Sequence, residues 1–478
     1  MAGDLHRLIP TEDDVGFRCS CGRYDPKGVG ACRCGRHDGW MEEGRTHRDK
    51  TRIGQPRPIP ITEVPMDTGE VRLRVGMPEL DRALGGGLVT GSLTLLGGDP
   101  GVGKSTLLLM VLARFAARGV PVLYVSGEES TRQVRLRAER LGVSEERLYL
   151  LPETCLDTVM EVAERLGPAV LVIDSVQTMG ARNMDSVPGS VGQVRAVATR
   201  AMALAKGKDI ATFLVGHVTK QGGIAGPKAL EHLVDTVLYF EGDGRSSLRI
   251  LRATKNRFGA TGELGFFEMA GDGLREVPDA SARLLRERVV GAPGTVVVAA
   301  LEGSRPVLAE VQALVGRPSA GTPGRTALGL DRGRLGMLMA VLGKVGLSLH
   351  DRDVFVSAAG GLRIAEPAAD LGVAVALASS MLDRAIDPGT LVFGEVGLVG
   401  EVRAVAHPGP RLLEARRHGF RRVLVPAAAA RDTPEGLEVV GVRSLREVID
   451  LATRPAHAAN PLAVRDGGGY GASPAVAE

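Results

Sequence analysis

The sequence predicts an α/β fold built around a parallel sheet, and two observations lead to this prediction. Continuous apolar runs alternate with helical stretches between about residues 61 and 285, and uninterrupted apolar runs are typical of strands that helices cover on both faces. The motif G-D-P-G-V-G-K-S, residues 98–105, follows the first run and opens the first helix. A strand, a glycine-rich turn and a helix in this order are typical of a phosphate-binding loop.

The other elements follow from apolar patterning along the chain. We predict strands at residues 92–97, 121–126, 169–174, 211–216 and 235–240, and helices at 104–118, 130–141, 156–166 and 190–206. Runs at 248–254 and 264–269 predict a hairpin, with Gly259 and Gly262 in its turn. A second α/β region contains the strand-like runs T-V-V-V-A-A-L-E, V-F-V-S-A-A and R-V-L-V-P.

The 478 residues are too many for one compact core, so we expect several domains. The predicted divisions are a cysteine-containing module at 1–40, a charged and then Pro-rich linker at 41–60, the first α/β domain at 61–285, the second at 286–455 and a disordered Ala/Gly/Pro-rich tail at 456–478.

Composition excludes some functions. The net charge is only +3, from 59 Lys and Arg against 56 Asp and Glu, so charge alone does not indicate nucleic-acid binding. The sequence contains no apolar run long enough for a transmembrane helix, and its start lacks the features of a signal peptide. We therefore expect a cytoplasmic protein without a membrane partner.

The phosphate loop predicts binding of ATP with Mg²⁺. Its glycines let backbone N–H groups surround phosphates, Lys104 reaches the β and γ oxygens, and the Ser105 hydroxyl binds Mg²⁺. The predicted nucleotide-binding residues are Gly98, Asp99, Pro100, Gly101, Val102, Gly103, Lys104, Ser105, Thr106 and His217.

Polar residues at the ends of later strands predict the rest of the site. Asp174 ends an apolar strand, where a carboxylate can help to hold Mg²⁺, although such an Asp can also cap a helix. Glu128 and Glu129 follow another strand; we favour Glu128 as the catalytic base, and the alternative is a charge that favours the next helix N-terminus. His217 could sense the γ-phosphate or be a core histidine.

These motifs, with G-I-A-G-P-K-A-L-E-H-L-V-D-T-V-L (223–238) and K-N-R-F-G (255–259), resemble the bacterial RadA (Sms) family of DNA-repair proteins from the cysteines to about residue 455. The resemblance implies a zinc finger, a RecA-like ATPase and a Lon-protease-like C-terminal domain. It also implies a DnaB-like homo-hexameric ring that drives branch migration in homologous recombination, with single-stranded and branched DNA and a RecA filament as partners.

The stretch K-N-R-F-G-A-T-G (255–262) is similar to the K-x-R-x-G-x-T-G hairpin of hexameric helicases. The resemblance implies that Lys255 and Arg257 reach the γ-phosphate of a neighbouring subunit; the alternative is a solvated hairpin tip. Loops at 178–190 and 219–228, which carry Arg182, Lys220 and Lys228, are candidates for DNA contact.

The cysteines Cys19, Cys21, Cys32 and Cys34 form two C-x-C pairs, whereas the family pattern has C-x-x-C pairs. Four thiolates can still bind Zn²⁺ in a tetrahedral site, and His37 could replace one ligand. The alternative is a degenerate or redox-labile finger.

The C-terminal domain lacks the Ser–Lys dyad of a Lon peptidase. Ala368 stands at the position of the nucleophile, Gly409 near that of the lysine, and Lys344 is the only lysine after residue 280. Ser319 imitates a Lon signature but precedes the equivalent position. We expect a ring-forming scaffold in which the Arg-rich segment 411–422 is a DNA surface or a solvated helix face. The competing functions are an ATP-dependent protease, a strand-exchange filament and an ATP switch that acts on protein partners.

Overall fold

The computed structural model describes residues 72–182, 187–217, 227–242, 247–318, 323–431 and 433–453, with 60–63 and short segments at 16–19, 24–25 and 40–43. The chain divides into one unit of residues 1–69 and another of residues 70–478. In the first unit, strands β1 (Gly16–Cys19), β2 (Tyr24–Asp25) and β3 (Trp40–Glu43) pair antiparallel in the order β2-β1-β3, and Ile61–Glu63 forms a 3-10 turn.

The second unit begins with the paired strands β4 (Arg72–Leu73) and β5 (Leu88–Val89), followed by a large sheet in the order β14-β13-β12-β11-β6-β10-β9-β7-β8. Its strands are β6 (Leu93–Gly98), β7 (Val122–Ser126), β8 (Leu148–Pro152), β9 (Val170–Asp174), β10 (Ala211–His217), β11 (Thr236–Glu241), β12 (Leu248–Asn256), β13 (Leu264–Ala270) and β14 (Gly273–Glu276). The helices are α1 (Pro78–Ala83), α2 (Lys104–Ala116), α3 (Thr131–Arg140), α4 (Leu156–Leu166), α5 (Val191–Lys208) and α6 (Ala280–Leu285), and Pro227–Ala229 is a 3-10 turn.

The predicted strands and helices of this region are confirmed, each within about two residues, and so is the hairpin of β12 and β13. Two strands of this sheet were not predicted, β8 and β14, which lie at its two ends. The β8 segment L-Y-L-L-P is itself an apolar run, although its residues are only partly buried. The strands from β11 to β8 are parallel, but β12, β13 and β14 extend the sheet antiparallel from β11. The sheet is therefore mixed rather than wholly parallel.

Side chains point alternately to the two faces of the sheet along each strand, and both faces are buried, which explains the continuous apolar runs. In β9, Val170 and Val172 pack on the face that α2 covers, whereas Leu171 and Ile173 pack on the face that α4 and α5 cover. All of these side chains are fully buried. Because helices cover both faces of the sheet, every residue of the strand must be apolar until the strand reaches its carboxyl end. A polar residue at the carboxyl end of a strand, such as Asp174, therefore needs a functional or structural reason.

The C-terminal sheet has the order β17-β18-β16-β15-β19-β22-β23. Its strands are β15 (Thr295–Glu302), β16 (Arg305–Gly316), β17 (Arg325–Leu328), β18 (Asp353–Ala358), β19 (Thr390–Val392), β22 (Arg422–Pro426) and β23 (Glu438–Val442), and a separate hairpin joins β20 (Glu395–Val396) to β21 (Val402–Arg403). The helices are α7 (Arg332–Lys344), α8 (Asp370–Leu382), α9 (Pro408–Arg417) and α10 (Leu445–Ala452), with 3-10 turns at Ala359–Gly361, Pro367–Ala369 and Ala427–Ala429.

The two sheets share buried contacts. Leu248 of β12 and Phe266 of β13 belong to one apolar cluster with Val296 of β15. Arg252 donates to Glu302 at 2.7 Å across the same junction. The predicted division near residue 285 stays a prediction, and these contacts join the regions on either side of it. Among the described residues, no helix combines the length and the apolar character that a membrane crossing needs.

Candidate nucleotide-binding site

The phosphate loop lies at the carboxyl edge of the large sheet, between β6 and the start of α2, beside a cavity of about 450 Å³. The cavity is lined by Pro100, Gly101, Gly103, Lys104, Ser105, Thr106, Ser126, Glu128, Glu129, Arg137, Arg140, Asp174, His217 and Met269. The structure thus brings together the predicted residues from the loop, from β9, from β10 and from the turn after β7. Of the predicted loop residues, Gly98, Asp99 and Val102 do not line the cavity.

Gly103 shows why the loop requires glycine. Its φ is 114°, and a Cβ atom there would lie 2.7 Å from Cε of Met269. The left-handed backbone strains any larger residue at this position, and the end of the Met269 side chain would also have to move aside. This tight turn places the N–H groups at the start of α2 toward the cavity, where the positive end of the helix dipole favours an anion.

Lys104 folds over the loop that precedes it. Its Nζ donates to the carbonyl oxygens of Gly98, at 2.9 Å, and Asp99, at 3.1 Å, and lies 3.3 Å from Nδ1 of His217. Burial lowers the pKa of Lys104, and the carboxylates of Asp174 and Glu128 partly oppose that shift. The ammonium group is held within the cavity, where a phosphate could replace the carbonyl oxygens as its partner.

Asp174 is buried at the end of β9, and Tyr124 from β7 donates to its Oδ2 at 2.5 Å. Burial, followed by the Asp174 charge, raises the pKa of Tyr124, so the phenol remains a donor. The next residue, Ser175, donates to Oε1 of Glu128 at 2.5 Å. The hydroxyl of Ser105 and the carboxylate of Asp174 both line the cavity and are hard oxygen donors, which fits Mg²⁺.

The two adjacent glutamates have different environments. Glu128 faces Ser175 and lies 3.3 Å from Nε2 of His217, although this contact is not aligned as a hydrogen bond. Glu129 instead accepts two hydrogen bonds from Arg137, at 2.6 and 2.5 Å. The structure therefore leaves Glu128, not Glu129, in contact with the polar groups between the loop and β9. The role of Glu128 as the base stays a prediction.

His217 occupies this position because of the strand order. β10 lies between β6 and β9 in the sheet, so its last residue falls between Lys104 and Glu128. With Nδ1 facing the Lys104 ammonium, the proton of a neutral ring belongs on Nε2, which faces Glu128. One side chain thus connects the two groups.

The predicted hairpin cations lie outside this cavity. Nζ of Lys255 donates to the carbonyl oxygens of Glu231, at 2.7 Å, and Val234, at 2.8 Å, and Arg257 pairs with the buried Asp235 at 3.0 Å. Burial, and secondarily the charge of Arg257, lowers the pKa of Lys255. Both side chains are thus held against the segment that leads into β11.

The candidate DNA loops and the cysteine site are only partly described. Arg182 and Lys228 are exposed, whereas Lys220 lies outside the described residues. The first loop follows β9, and both β9 and β10 end at the side of the sheet that carries the phosphate loop. Cys21, Cys32 and Cys34 lie outside the described residues, and Cys19 ends β1.

At the position predicted for a peptidase nucleophile, Ala368 is fully buried. Nearby, the buried Arg411 pairs with Glu366 at 2.9 Å and donates to the carbonyl oxygen of Ala299 at 2.6 Å. Lys344 ends α7 and reaches the carbonyl oxygen of Leu398 at 3.5 Å, and Ser319 lies outside the described residues. The expectation that the Arg-rich segment 411–422 is exposed is wrong for Arg411, whose side chain is fully buried and paired with Glu366.

Sequence reasoning missed five polar residues of the site: Ser126, Arg137 and Arg140, which line the cavity, and Tyr124 and Ser175, which contact Asp174 and Glu128. Tyr124 stands in an apolar strand, so its hydroxyl gave no signal of its partner Asp174. Ser175 directly follows Asp174 and could have been suspected from that position. Arg137 lies in a charged helix, and only the fold shows that it turns toward Glu129.

Comparisons with known proteins agree on both halves of the chain. Residues 59–223 match the model of an AAA domain, and residues 337–429 match that of subunit ChlI of Mg-chelatase. A DNA repair protein RadA from Halalkalibacterium halodurans is 46% identical over 447 residues, which cover 91% of this chain and 98% of that protein. The proteins of the same name from Bacillus subtilis (45%; 91% and 97%) and Pseudomonas aeruginosa (46%; 90% and 96%) are similar to the same extent. The α/β fold with a RecA-like P-loop core and a Lon-like C-terminal domain is thereby confirmed.

Among solved structures, a KaiC-like protein from Pyrococcus horikoshii OT3 matches 44% of this chain and 100% of its own, at 20% identity and a TM-score of 0.38.

Proposed function

This chain belongs to the RadA family of DNA repair proteins, and we propose that it is an ATP-driven DNA motor that acts on recombination intermediates as a homo-hexameric ring. Its substrates are then single-stranded and branched DNA, and a RecA-type filament is its partner. The observation that carries this proposal is the position of Lys255 and Arg257 relative to the phosphate loop of their own chain.

The register of the sheet separates these two sites. β11 pairs with β6 so that Phe240 is level with Gly98 and Thr236 with Thr94, and Asn256 of β12 is opposite Thr236. Asn256 is thus four residues, or about 13 Å along the strands, from the level of the phosphate loop. The hairpin cations therefore lie near the amino ends of the parallel strands, whereas their own nucleotide site lies at the carboxyl ends. In a ring, the phosphate loop of a neighbouring copy could lie against these cations.

Within one chain, the site residues divide the chemistry as follows. Lys104 and the N–H groups of the loop bind the phosphates, Ser105 and Asp174 would hold Mg²⁺, and Glu128 orients the attacking water. When bound, Mg²⁺ neutralises phosphate charge. His217 contacts both Lys104 and Glu128. His217 therefore lies where a change in the partner of Lys104 can affect Glu128.

The zinc site is part of the same proposal. Cys19, Cys21, Cys32 and Cys34 supply four thiolates, a donor set that suits structural Zn²⁺.

We expect Glu128→Gln to slow ATP hydrolysis roughly 10²- to 10⁴-fold, because an amide cannot accept a proton from the attacking water. The matched control is Glu129→Gln, since Glu129 is already paired with Arg137. Steady-state hydrolysis should fall far more in the first variant, while nucleotide affinity, measured with a fluorescent ATP analogue, stays similar in both. Equal losses in the two variants would exclude Glu128 as the specific base.

The proposed motor predicts that single-stranded DNA stimulates ATP hydrolysis and that the stimulation weakens as salt rises, because phosphate contacts release counterions. The measurement is the hydrolysis rate with and without oligo(dT) at low and moderate salt. The Arg182→Ala/Lys228→Ala variant should keep its basal rate and lose much of the stimulation. No stimulation at either salt would instead favour an ATP switch that acts on protein partners.

A further inference from the structure

The C-terminal sheet is covered unevenly. On one face, side chains of β15 and β16 such as Val298 and Val311 pack in a cluster with those of α7, α8 and α10. On the other face, Leu308 packs with Leu412 of α9, and α6 also contacts β16. We call these the α8 face and the α9 face. Within the residues that the structure describes, no helix covers the α9 face at the end of the sheet formed by β17, β18 and the last residues of β16.

The uncovered part of the α9 face is apolar. Because side chains alternate along strands, Leu314 points to the same face as Leu308, and Phe355 is its direct partner on β18. Leu314, Leu328 and Phe355 are 62%, 60% and 43% exposed, and Val289 beside them is 57% exposed. These four residues border a cavity of about 420 Å³, which we call the apolar groove.

The lining of the apolar groove restricts what can occupy it. Every residue of the lining is uncharged: Val289, Ala292, Pro293, Gly294, Thr295, Gln312, Ala313, Leu314, Thr326, Leu328, Phe355, Val356 and Ser357. Nucleic acid is a poor match, because its binding depends on cations that neutralise phosphates. An exposed apolar patch of this kind is typical of a protein–protein contact.

The same domain carries an apolar protrusion. The turn between β20 and β21 is Gly397-Leu398-Val399-Gly400, in which Leu398 and Val399 are 63% and 79% exposed. Hydrogen bonds hold this turn: Gly397 N–H to the Glu401 carbonyl at 2.9 Å, Val399 N–H to the Glu401 carboxylate at 3.2 Å, and Leu445 N–H to the Gly400 carbonyl at 2.8 Å. The tip is therefore ordered before any partner binds, which lowers the entropy cost of docking.

The protrusion and the apolar groove face opposite ways. Gly400 lies beside the side chains of Val341 and Val345 at the end of α7, on the α8 face, whereas the groove opens on the α9 face. Two different surfaces of matching chemistry on opposite faces suit a head-to-tail contact, which repeats from copy to copy and can close into a ring. We propose that Leu398 and Val399 of one copy of this chain enter the apolar groove of the next. This inference rests on the proposed ring and names the surfaces that build it.

The test is sedimentation velocity of the full chain without nucleotide. The tip variant is Leu398→Asp, and the groove variant is Leu314→Asp, with Leu328→Asp as a second groove variant in case the first does not fold. The control is Leu413→Asp, an exposed leucine on α9 of the same domain. We expect the wild type and the control to assemble and the tip and groove variants to remain monomers.

A mixture of tip and groove variants gives the sharper result. The groove variant still has an intact tip, which fits the intact groove of the tip variant. The other tip and the other groove are mutated and cannot bind a third copy. An equimolar mixture should therefore form a species of twice the monomer mass. A mixture that equals the sum of its two components overturns the inference, as does a variant that assembles like the wild type. A wild type that is itself monomeric would instead refute the proposed ring.

Discussion

Lys255→Ala is expected to bind ATP normally and to lose most of its DNA-stimulated hydrolysis if, as proposed above, the lysine acts on the nucleotide of a neighbouring copy. A cation supplied in trans to the γ-phosphate is worth roughly 10³- to 10⁵-fold in rate. Lys255 lies at the sheet edge opposite its own phosphate loop, where Nζ is bonded only to the carbonyl oxygens of Glu231 and Val234 among the partners described. Binding is measured with a fluorescent ATP analogue and turnover by phosphate release.

A mixing experiment separates action in trans from a local structural role. Lys104→Ala keeps its hairpin but lacks a working nucleotide site, and Lys255→Ala keeps its site but lacks the cation. If Lys255 acts on the neighbour, an equimolar mixture of the two inactive variants should regain part of the wild-type rate. The melting temperature of Lys255→Ala is measured in parallel, because loss of a lysine that only bonds the Glu231 and Val234 carbonyls would lower stability without rescue in the mixture. A mixture that stays inactive would contradict action in trans.

Glu366→Gln is expected to lower the free energy of unfolding by about 3 kcal/mol, because it leaves the Arg411 guanidinium buried without its counter-charge. Removing one partner of a buried ion pair costs about 3–5 kcal/mol, and the lower end applies here because the Glu366 side chain is 21% exposed and Arg411 keeps its bond to the Ala299 carbonyl. The measurement is urea unfolding followed by circular dichroism.

Two further variants test the cause of this loss. Arg417→Ala, on the same helix α9 as Arg411, removes an exposed ion pair with Asp279 and should lower the free energy of unfolding by at most about 1 kcal/mol. The double variant Glu366→Leu/Arg411→Met should recover much of the stability, because an apolar pair of similar volume avoids the desolvation of two charges. A loss in Glu366→Gln no larger than in Arg417→Ala would mean that solvent screens the pair.

The Arg411–Glu366 pair also bears on the peptidase alternative. Ala368 is buried close to this pair, and the only lysine of the domain, Lys344, ends α7 and contacts the carbonyl oxygen of Leu398. A nucleophilic dyad needs a reactive side chain and a base within hydrogen-bond reach of each other. Neither Ala368 nor Lys344, as the structure describes them, supplies such a dyad.

The sequence by itself determined the elements of the large sheet and the loop that binds phosphate. A strand buried on both faces must be continuously apolar, and a tight turn into a helix must carry glycine, so Leu93–Gly98 and Gly103 are readable from neighbouring residues alone. The family follows from the same local motifs. β8 was missed although L-Y-L-L-P is an apolar run; only the strand order shows that this segment is the last strand of the sheet.

Only the tertiary structure decided which side chains meet. Glu128 and Glu129 are equivalent in sequence, yet Arg137 takes Glu129, and Ser175 contacts Glu128. Lys104 and Lys255 are both cations beside strands, yet the pairing of β6, β11 and β12 places them at opposite edges of the sheet. The physical reason is that propensity and apolar period act over a few residues, whereas strand order and register depend on contacts between residues far apart in the chain.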